Sequence, residues 1–126
     1  MQQRVDASPF GLWWGLLVES VSSGASRVRL PYRQSLERLG GVLHGGCTVV
    51  VADVAVWVAI MTVVEGGEHA LTVHLTTDYI ASARSDIIGT ARLLKVGHKL
   101  AVGIVETRAD DGKLVGTHQV TYLLPS

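Results

Sequence analysis

The residues whose types and spacing could carry out a reaction lie near the middle of the chain, at His44-Gly45-Gly46 and at Asp53. Backbone N–H groups at a helix N-terminus carry partial positive charge, and glycine lets a ligand approach them closely, which suits an oxyanion or a polarised carbonyl. A carboxylate in apolar surroundings is costly unless it is paired, hydrogen-bonded or protonated, and such groups concentrate at functional sites. The alternative is that Asp53 is exposed at a polar gap.

Asp53 interrupts an apolar run, Cys47 to Val64, that begins directly after the glycines. As a membrane span this run would place a carboxylate near the bilayer centre, and it lacks closely flanking Lys or Arg anchors. Its many valines favour a strand, but strands usually end by about 10 residues. The run therefore predicts one helix and no membrane span. Because this helix is apolar on nearly all sides, other elements must enclose it.

Alternating polar and apolar residues predict an antiparallel sheet that provides this enclosure. A helical turn at 9–15 precedes a hairpin at 16–31, and three strands at about 86–96, 99–109 and 113–124 form a meander. In a further strand at 71–80, simple alternation separates two faces. One face carries Leu71, Val73, Leu75, Thr77 and Tyr79, and the other carries Thr72, His74, Thr76 and Asp78. No linker or repeat divides the series, so we expect a single domain over residues 1–126.

Composition narrows the class of protein. Hydrophobic residues make up 48% of the 126 residues and charged residues only 17%, so we expect another subunit to cover some apolar surface. Eleven basic residues balance eleven acidic ones without a basic cluster, which argues against nucleic-acid binding. The single cysteine, Cys47, and an N-terminus without a signal-peptide pattern favour a cytoplasmic protein.

The segment LGGVLHGG, with Asp53 nine residues after His44, resembles the HGG region of hotdog-fold acyl-CoA thioesterases of the phenylacetic-acid-degradation (PaaI-like) type. The segments PFGLWWGLLVESVSSGASRVRLP, LTVHLTTDYIASAR and GHKLAVGIVETRADDGKLVGTHQVTYLL resemble the start, the strand after the helix and the last two strands of that family. The resemblance covers roughly residues 9 to 124. It implies an α+β hotdog fold, with an antiparallel sheet wrapped around one long central helix. It also implies hydrolysis of acyl-CoA without a metal or other cofactor, in a homodimer or a dimer-of-dimers tetramer.

The resemblance also implies roles for individual residues. The backbone N–H of Gly45 would polarise the thioester carbonyl, and Asp53 of the neighbouring subunit would act as general base or nucleophile. Thr72 falls where relatives place a Ser or Thr near the carboxylate, although an ordinary strand Thr is the alternative. We expect His44 to fix the turn by hydrogen bonding, with a catalytic role as the alternative. Two further residues are candidates for binding substrate: Gly46, beside the donor, and Trp57, which would line the acyl pocket.

Arg38 is the main departure from this family. Relatives commonly carry Asn or Gln six residues before the HGG histidine, and here a permanent cation replaces that amide. Arg38 could turn outward, pair with Asp53, or meet an anionic acyl group or a CoA phosphate. Further candidate contacts to the CoA nucleotide stand at strand ends: Arg84, Lys95, His98 and Lys99.

Four alternative functions can be weighed against the same residues: a cysteine nucleophile, a metal site, a dehydratase and a non-catalytic module. A Cys47 nucleophile assisted by His44 is conceivable at a helix start, but a buried structural cysteine fits the apolar run better. The five histidines and the acids show no close ligand spacing, so we predict no metal. A hotdog dehydratase would need a different Pro/Gly-rich surround for its histidine, and none of the three prolines is near His44. A non-catalytic module that binds acyl thioesters or only assembles, disabled by Arg38, remains the second hypothesis.

Overall fold

A computed structural model describes all residues, 1–126, and begins with two short helices. Helix α1 spans Gln2–Ala7 and helix α2 spans Pro9–Trp14. The Ser8 hydroxyl accepts a hydrogen bond from the Gly11 N–H, and Pro9 stands at the first helical position, so α2 has a well-defined start. Gly15 ends α2 in the left-handed conformation, with φ of 71°. Helix α2 confirms the predicted helical turn, whereas α1 was not predicted.

Six strands form one antiparallel sheet, and two very short strands form a separate hairpin before the long helix. The strands in chain order are β1 Leu17–Ser22, β2 Ala25–Leu30, β3 Glu37–Arg38, β4 Val42–Leu43, β5 Leu71–Tyr79, β6 Ile87–Val96, β7 Leu100–Ala109 and β8 Leu114–Leu123. In the large sheet the spatial order is β1-β2-β6-β7-β8-β5, so β1 and β5 are its edges. The predicted hairpin and meander are confirmed, and the β3–β4 hairpin was not predicted.

Helix α3, Gly46–Met61, lies against the sheet and is enclosed as the apolar run predicted. Eleven of its sixteen residues are buried, so water reaches little of its circumference. Close approach to the sheet depends on Gly89 in β6, where an added Cβ would lie 2.6 Å from Val51 Cγ1. The sheet wrapped around one central helix confirms the α+β hotdog architecture. None of the helices has the length and apolar character needed to cross a membrane.

Strand β5 corrects the expected alternation. A β-bulge interrupts its pairing with β8 between Thr72 and His74, so one extra residue reverses the order of inward and outward side chains. Thr72 therefore points toward α3, as Leu75 and Thr77 do, instead of lying on the opposite face. The sequence prediction was wrong at this position because regular alternation cannot reveal an inserted residue.

Candidate active site

The Asp53 carboxylate lies halfway along α3, half-buried between the helix and the sheet. Its Oδ1 accepts hydrogen bonds from Thr72 Oγ1 at 2.8 Å and from the Tyr122 hydroxyl at 2.9 Å. Its Oδ2 has no hydrogen-bond or ion-pair partner in the chain. Two donors on one oxygen fix the carboxylate and leave the other oxygen free to react.

Tyr122 is the residue of this group that the sequence analysis missed. It stands directly opposite Thr72 across the β5–β8 ladder, and its side chain is buried. A buried tyrosine usually finds a partner for its hydroxyl, so its inward position in β8 was the available signal. Burial, reinforced by the nearby Asp53 charge, raises the pKa of the Tyr122 hydroxyl well above its usual range. The hydroxyl therefore remains a hydrogen-bond donor under all ordinary conditions.

The turn into α3 presents a free backbone donor at Gly45. His44 Nδ1 accepts a hydrogen bond from the Gly46 N–H at 2.8 Å, which fixes the turn and leaves the imidazole proton on Nε2. The Gly45 N–H makes no hydrogen bond within the chain. A Cβ at Gly45 would lie 3.1 Å from Cε1 of Tyr79, so the aromatic ring occupies the space that a larger residue would need.

Arg38 lies beside this donor and not beside Asp53 of its own chain. A cavity of about 270 Å³ is lined by Arg38, His44, Gly45, Tyr79 and nine other residues, none of them acidic. Arg38 is exposed, and its Nη1 donates to the Leu39 carbonyl at 2.6 Å. Within a single chain, therefore, Arg38 turns outward and does not form an ion pair.

Asp53 borders a second, mainly apolar cavity. This cavity has a volume of about 250 Å³ and lies between the N-terminal segment, α3, β5 and β8. Its lining residues are Val5, Ser8, Phe10, Gly11, Asp53, Val54, Trp57, Ala70, Leu71, Thr72 and Tyr122. Trp57, one turn after Asp53, forms part of its wall and donates from Nε1 to the Glu68 carbonyl at 3.2 Å. Asp53, Thr72 and Trp57 are thus brought together as the sequence suggested. The wall from α1 and α2 was not foreseen.

One chain does not bring Gly45 and Asp53 into the same cavity. They are eight residues apart on the helix, or about 12 Å along its axis. The residues expected to contact the CoA nucleotide are also separated within one chain. Arg84 precedes β6, whereas Lys95, His98 and Lys99 lie at the far end of that strand. The ten residues of β6 span about 33 Å. Arg84 Nη1 instead reaches the Gly41 carbonyl, 3.2 Å away, close to Arg38.

A buried polar cluster beneath the first turn of α3 was also missed. His118 Nδ1 lies 2.8 Å from Thr77 Oγ1, while Nε2 lies 3.0 Å from Thr107 Oγ1 and 3.3 Å from Thr48 Oγ1. Burial lowers the pKa of His118 to about 4, against the opposing attraction of Asp78. His118 is therefore neutral at physiological pH and acts as a structural link between α3 and three strands.

Neither a cysteine nucleophile nor a metal site has support in the surroundings of the residues concerned. Cys47 is buried, and burial raises the pKa of its thiol, which disfavours the nucleophilic thiolate. No three His, Cys, Asp or Glu side chains come together as possible metal ligands. A third concavity, of about 760 Å³, lies mainly on the face of the sheet away from α3 and is lined by none of the predicted site residues.

Comparisons with known proteins agree with this fold. The family model of the thioesterase superfamily matches residues 40–116. The 1,4-dihydroxy-2-naphthoyl-CoA hydrolase of Listeria monocytogenes is 24% identical over 102 residues, covering 80% of this chain and 83% of that protein.

Two solved structures extend the likeness over nearly the whole chain. A conserved protein from Pseudomonas aeruginosa is 28% identical with a TM-score of 0.88, covering 99% of this chain and 100% of its own. A mutant of the phenylacetic acid degradation protein PaaI from Thermus thermophilus is 25% identical with a TM-score of 0.83, covering 94% of this chain and 100% of its own.

Proposed function

Because the chain belongs to the thioesterase superfamily, we propose that it hydrolyses acyl-CoA thioesters to a free acid and CoA. The observation that carries this proposal is the Asp53 carboxylate, whose Oδ1 is held by Thr72 and Tyr122 while Oδ2 remains free beside an apolar cavity. The similarity to a naphthoyl-CoA hydrolase supports a CoA thioester as the substrate.

In the proposed reaction, Asp53 Oδ2 takes a proton from water as the water oxygen attacks the thioester carbonyl carbon. The negative charge that develops on the carbonyl oxygen is stabilised by the Gly45 N–H, and one such donor is typically worth about 2.7 to 4 kcal/mol. The C–S bond then breaks, and the proton passes to the departing CoA sulfur. Direct attack by Asp53 Oδ2 would instead break the C–S bond, release CoA as the thiolate and form an acyl anhydride, which water would hydrolyse to the free acid and the Asp53 carboxylate.

Two copies of the chain are needed to assemble this site, because Gly45 and Asp53 of one chain border different cavities. The edge strand β5 supports a homodimer or a dimer-of-dimers, since it exposes Leu71, Val73 and Tyr79 beside unpaired backbone groups. Antiparallel pairing of β5 with its copy would bring the start of one strand next to the end of the other. Thr72, which holds Asp53, would thereby approach the partner's Tyr79, which packs on Gly45.

A mixing experiment tests the shared site. Gly45→Pro removes the N–H at a φ of −57°, which proline accepts, while Gly45→Ala adds a Cβ but keeps the donor. Co-expressed Asp53→Asn and Gly45→Pro chains should recover about a quarter of wild-type activity, since half of the dimers are mixed and each has one intact site. Each variant alone should be inactive, and Gly45→Ala should retain more activity than Gly45→Pro. Failure of the mixture to recover activity would contradict a site built from two chains.

The apolar cavity beside Asp53 limits the size of the acyl group. A dry protein cavity of about 150 Å³ accommodates benzene, so about 250 Å³ suits one aromatic ring or a medium-length chain. Trp57 and Phe10 would contact this group. Hydrolysis of short-chain, medium-chain and aryl acyl-CoA by wild type and Asp53→Asn tests the proposal. No turnover above the Asp53→Asn background would refute it for those substrates.

The CoA moiety would lie across the ends of two chains. In the proposed dimer, Arg38 and Arg84 of one chain meet the end of the partner that carries His98 and Lys99, so these four side chains can surround one nucleotide. The buried, unpaired Cys47 fits a cytoplasmic site for this reaction. We further propose that residues 1–126 act as one hotdog domain.

A second candidate function is binding of acyl thioesters without turnover. Arg38 favours it, because this exposed cation borders the Gly45 cavity without a carboxylate partner. An anion held there could keep the carbonyl away from the Gly45 donor. Acyl-CoA binding without hydrolysis, together with a gain of activity in Arg38→Asn, would support this candidate and identify Arg38 as the block.

A further inference from the structure

Tyr122 contacts Asp53 through two acceptors at once. Its hydroxyl lies 2.9 Å from Oδ1 of the carboxylate and 2.9 Å from the main-chain carbonyl oxygen of the same residue. The tyrosine is only 4% exposed, so water does not compete for these contacts. The hydroxyl therefore ties the end of β8 to the middle of α3 at the residue that carries the proposed chemistry.

The two donors on Oδ1 come from different strands and constrain the carboxylate together. Thr72 approaches from β5 and Tyr122 from β8, and these residues are direct partners in the ladder. Thr72 belongs to an exposed edge strand, whereas Tyr122 is fixed by the core around it. A carboxylate held by a rigid, permanently protonated donor keeps one orientation, and its second oxygen is presented in one direction.

We propose that Tyr122 is a positioning residue for Asp53, holding Oδ1 so that Oδ2 is the oxygen that reacts. This inference rests on the proposed hydrolysis and deepens it, since the Tyr122 hydroxyl contacts Asp53 and takes no part in bond making or breaking. The hydroxyl acts in the step in which Oδ2 takes the proton, whereas the ring forms part of the wall of the apolar cavity.

The test is Tyr122→Phe, which removes the hydroxyl but keeps the buried ring. We expect kcat to fall about 10-fold to 100-fold, the effect of losing one hydrogen bond to a charged group, while KM changes little. The acidic limb of the pH–rate profile should move to higher pH, because a donor to a carboxylate favours its charged form. Tyr32→Phe is the matched control, since the exposed Tyr32 donates its hydroxyl to Glu37 and lines neither cavity. It should leave kcat and the pH profile unchanged.

A second variant keeps the test informative if Tyr122→Phe does not fold. Ring-fluorinated tyrosine at position 122 retains the hydroxyl as a stronger donor, so the acidic limb should move to lower pH. Unchanged kcat and an unchanged acidic limb in both variants, while Asp53→Asn is inactive, would overturn the inference and leave the proposed hydrolysis standing. Full activity of Asp53→Asn would overturn both.

Discussion

The buried imidazole of His118 makes the stability of this fold depend on pH in a calculable way. In the folded protein, burial lowers the pKa of His118 from 6.5 to about 4. As pH falls below 6.5, the unfolded chain binds a proton at this residue before the folded chain does. The contribution of neutral His118 is therefore complete above pH 6.5 and is lost as pH falls toward 4.

The magnitude follows from the two pKa values. The full difference between 6.5 and about 4 corresponds to about 3 kcal/mol. Of this, about 2 kcal/mol should be lost between pH 7 and pH 5, before most carboxylates begin to titrate. The side chain is 5% exposed and surrounded by three threonine hydroxyls, while Asp78 is the charge that favours protonation. No acidic side chain is in hydrogen-bond contact with the ring.

Urea unfolding at pH 7 and pH 5 measures this effect directly. The free energy of unfolding of the wild type should fall by about 2 kcal/mol more than that of His118→Gln, which has no titrating group at this position. His74→Gln replaces an exposed histidine and should show the pH dependence of the wild type. Equal pH dependence in wild type and His118→Gln would refute the assignment of a buried, neutral imidazole.

Three other predictions concern packing, reactivity and assembly. Gly89→Ala should destabilise the protein by about 1 to 3 kcal/mol in urea unfolding, because the new Cβ meets Val51, and wild-type stability would contradict this close approach. Cys47 should react with a thiol reagent only as the protein unfolds, so rapid labelling of the native protein would show that the thiol is accessible. Val73→Lys should weaken self-association, measured by sedimentation, and reduce activity at low protein concentration. An unchanged oligomeric state would show that β5 is not part of the subunit interface.

Local patterns in the sequence were sufficient for most of the fold. The alternation of polar and apolar residues in β6, β7 and β8 depends only on neighbouring residues, so these strands could be recognised without coordinates. The apolar run identified α3, although the helix ends at Met61 and not at Val64. Helix α1 was missed because Val5 is its only buried residue and leaves no periodic pattern.

The candidate site was only partly predictable because its contacts join distant segments. Asp53 was recognisable from its chemistry, as a carboxylate in an apolar run. Tyr122 was not, since it lies 69 residues from Asp53 and reaches it only through the register of β5 and β8. The His118 cluster was missed for the same reason, because its threonines come from three different elements.

The β-bulge at Val73 decides whether Thr72 reaches Asp53. Thr72 pairs with Tyr122 and His74 pairs with Thr121, so Val73 is the extra residue between the two pairs. Deleting Val73 would leave both pairs in a regular ladder, with Thr72 still facing Asp53. If the bulge closed without a deletion, the start of β5 would slip by one residue against β8, and Thr72 would turn to the opposite face of the sheet. Asp53 would then lose a donor although none of the residues touching it had been replaced.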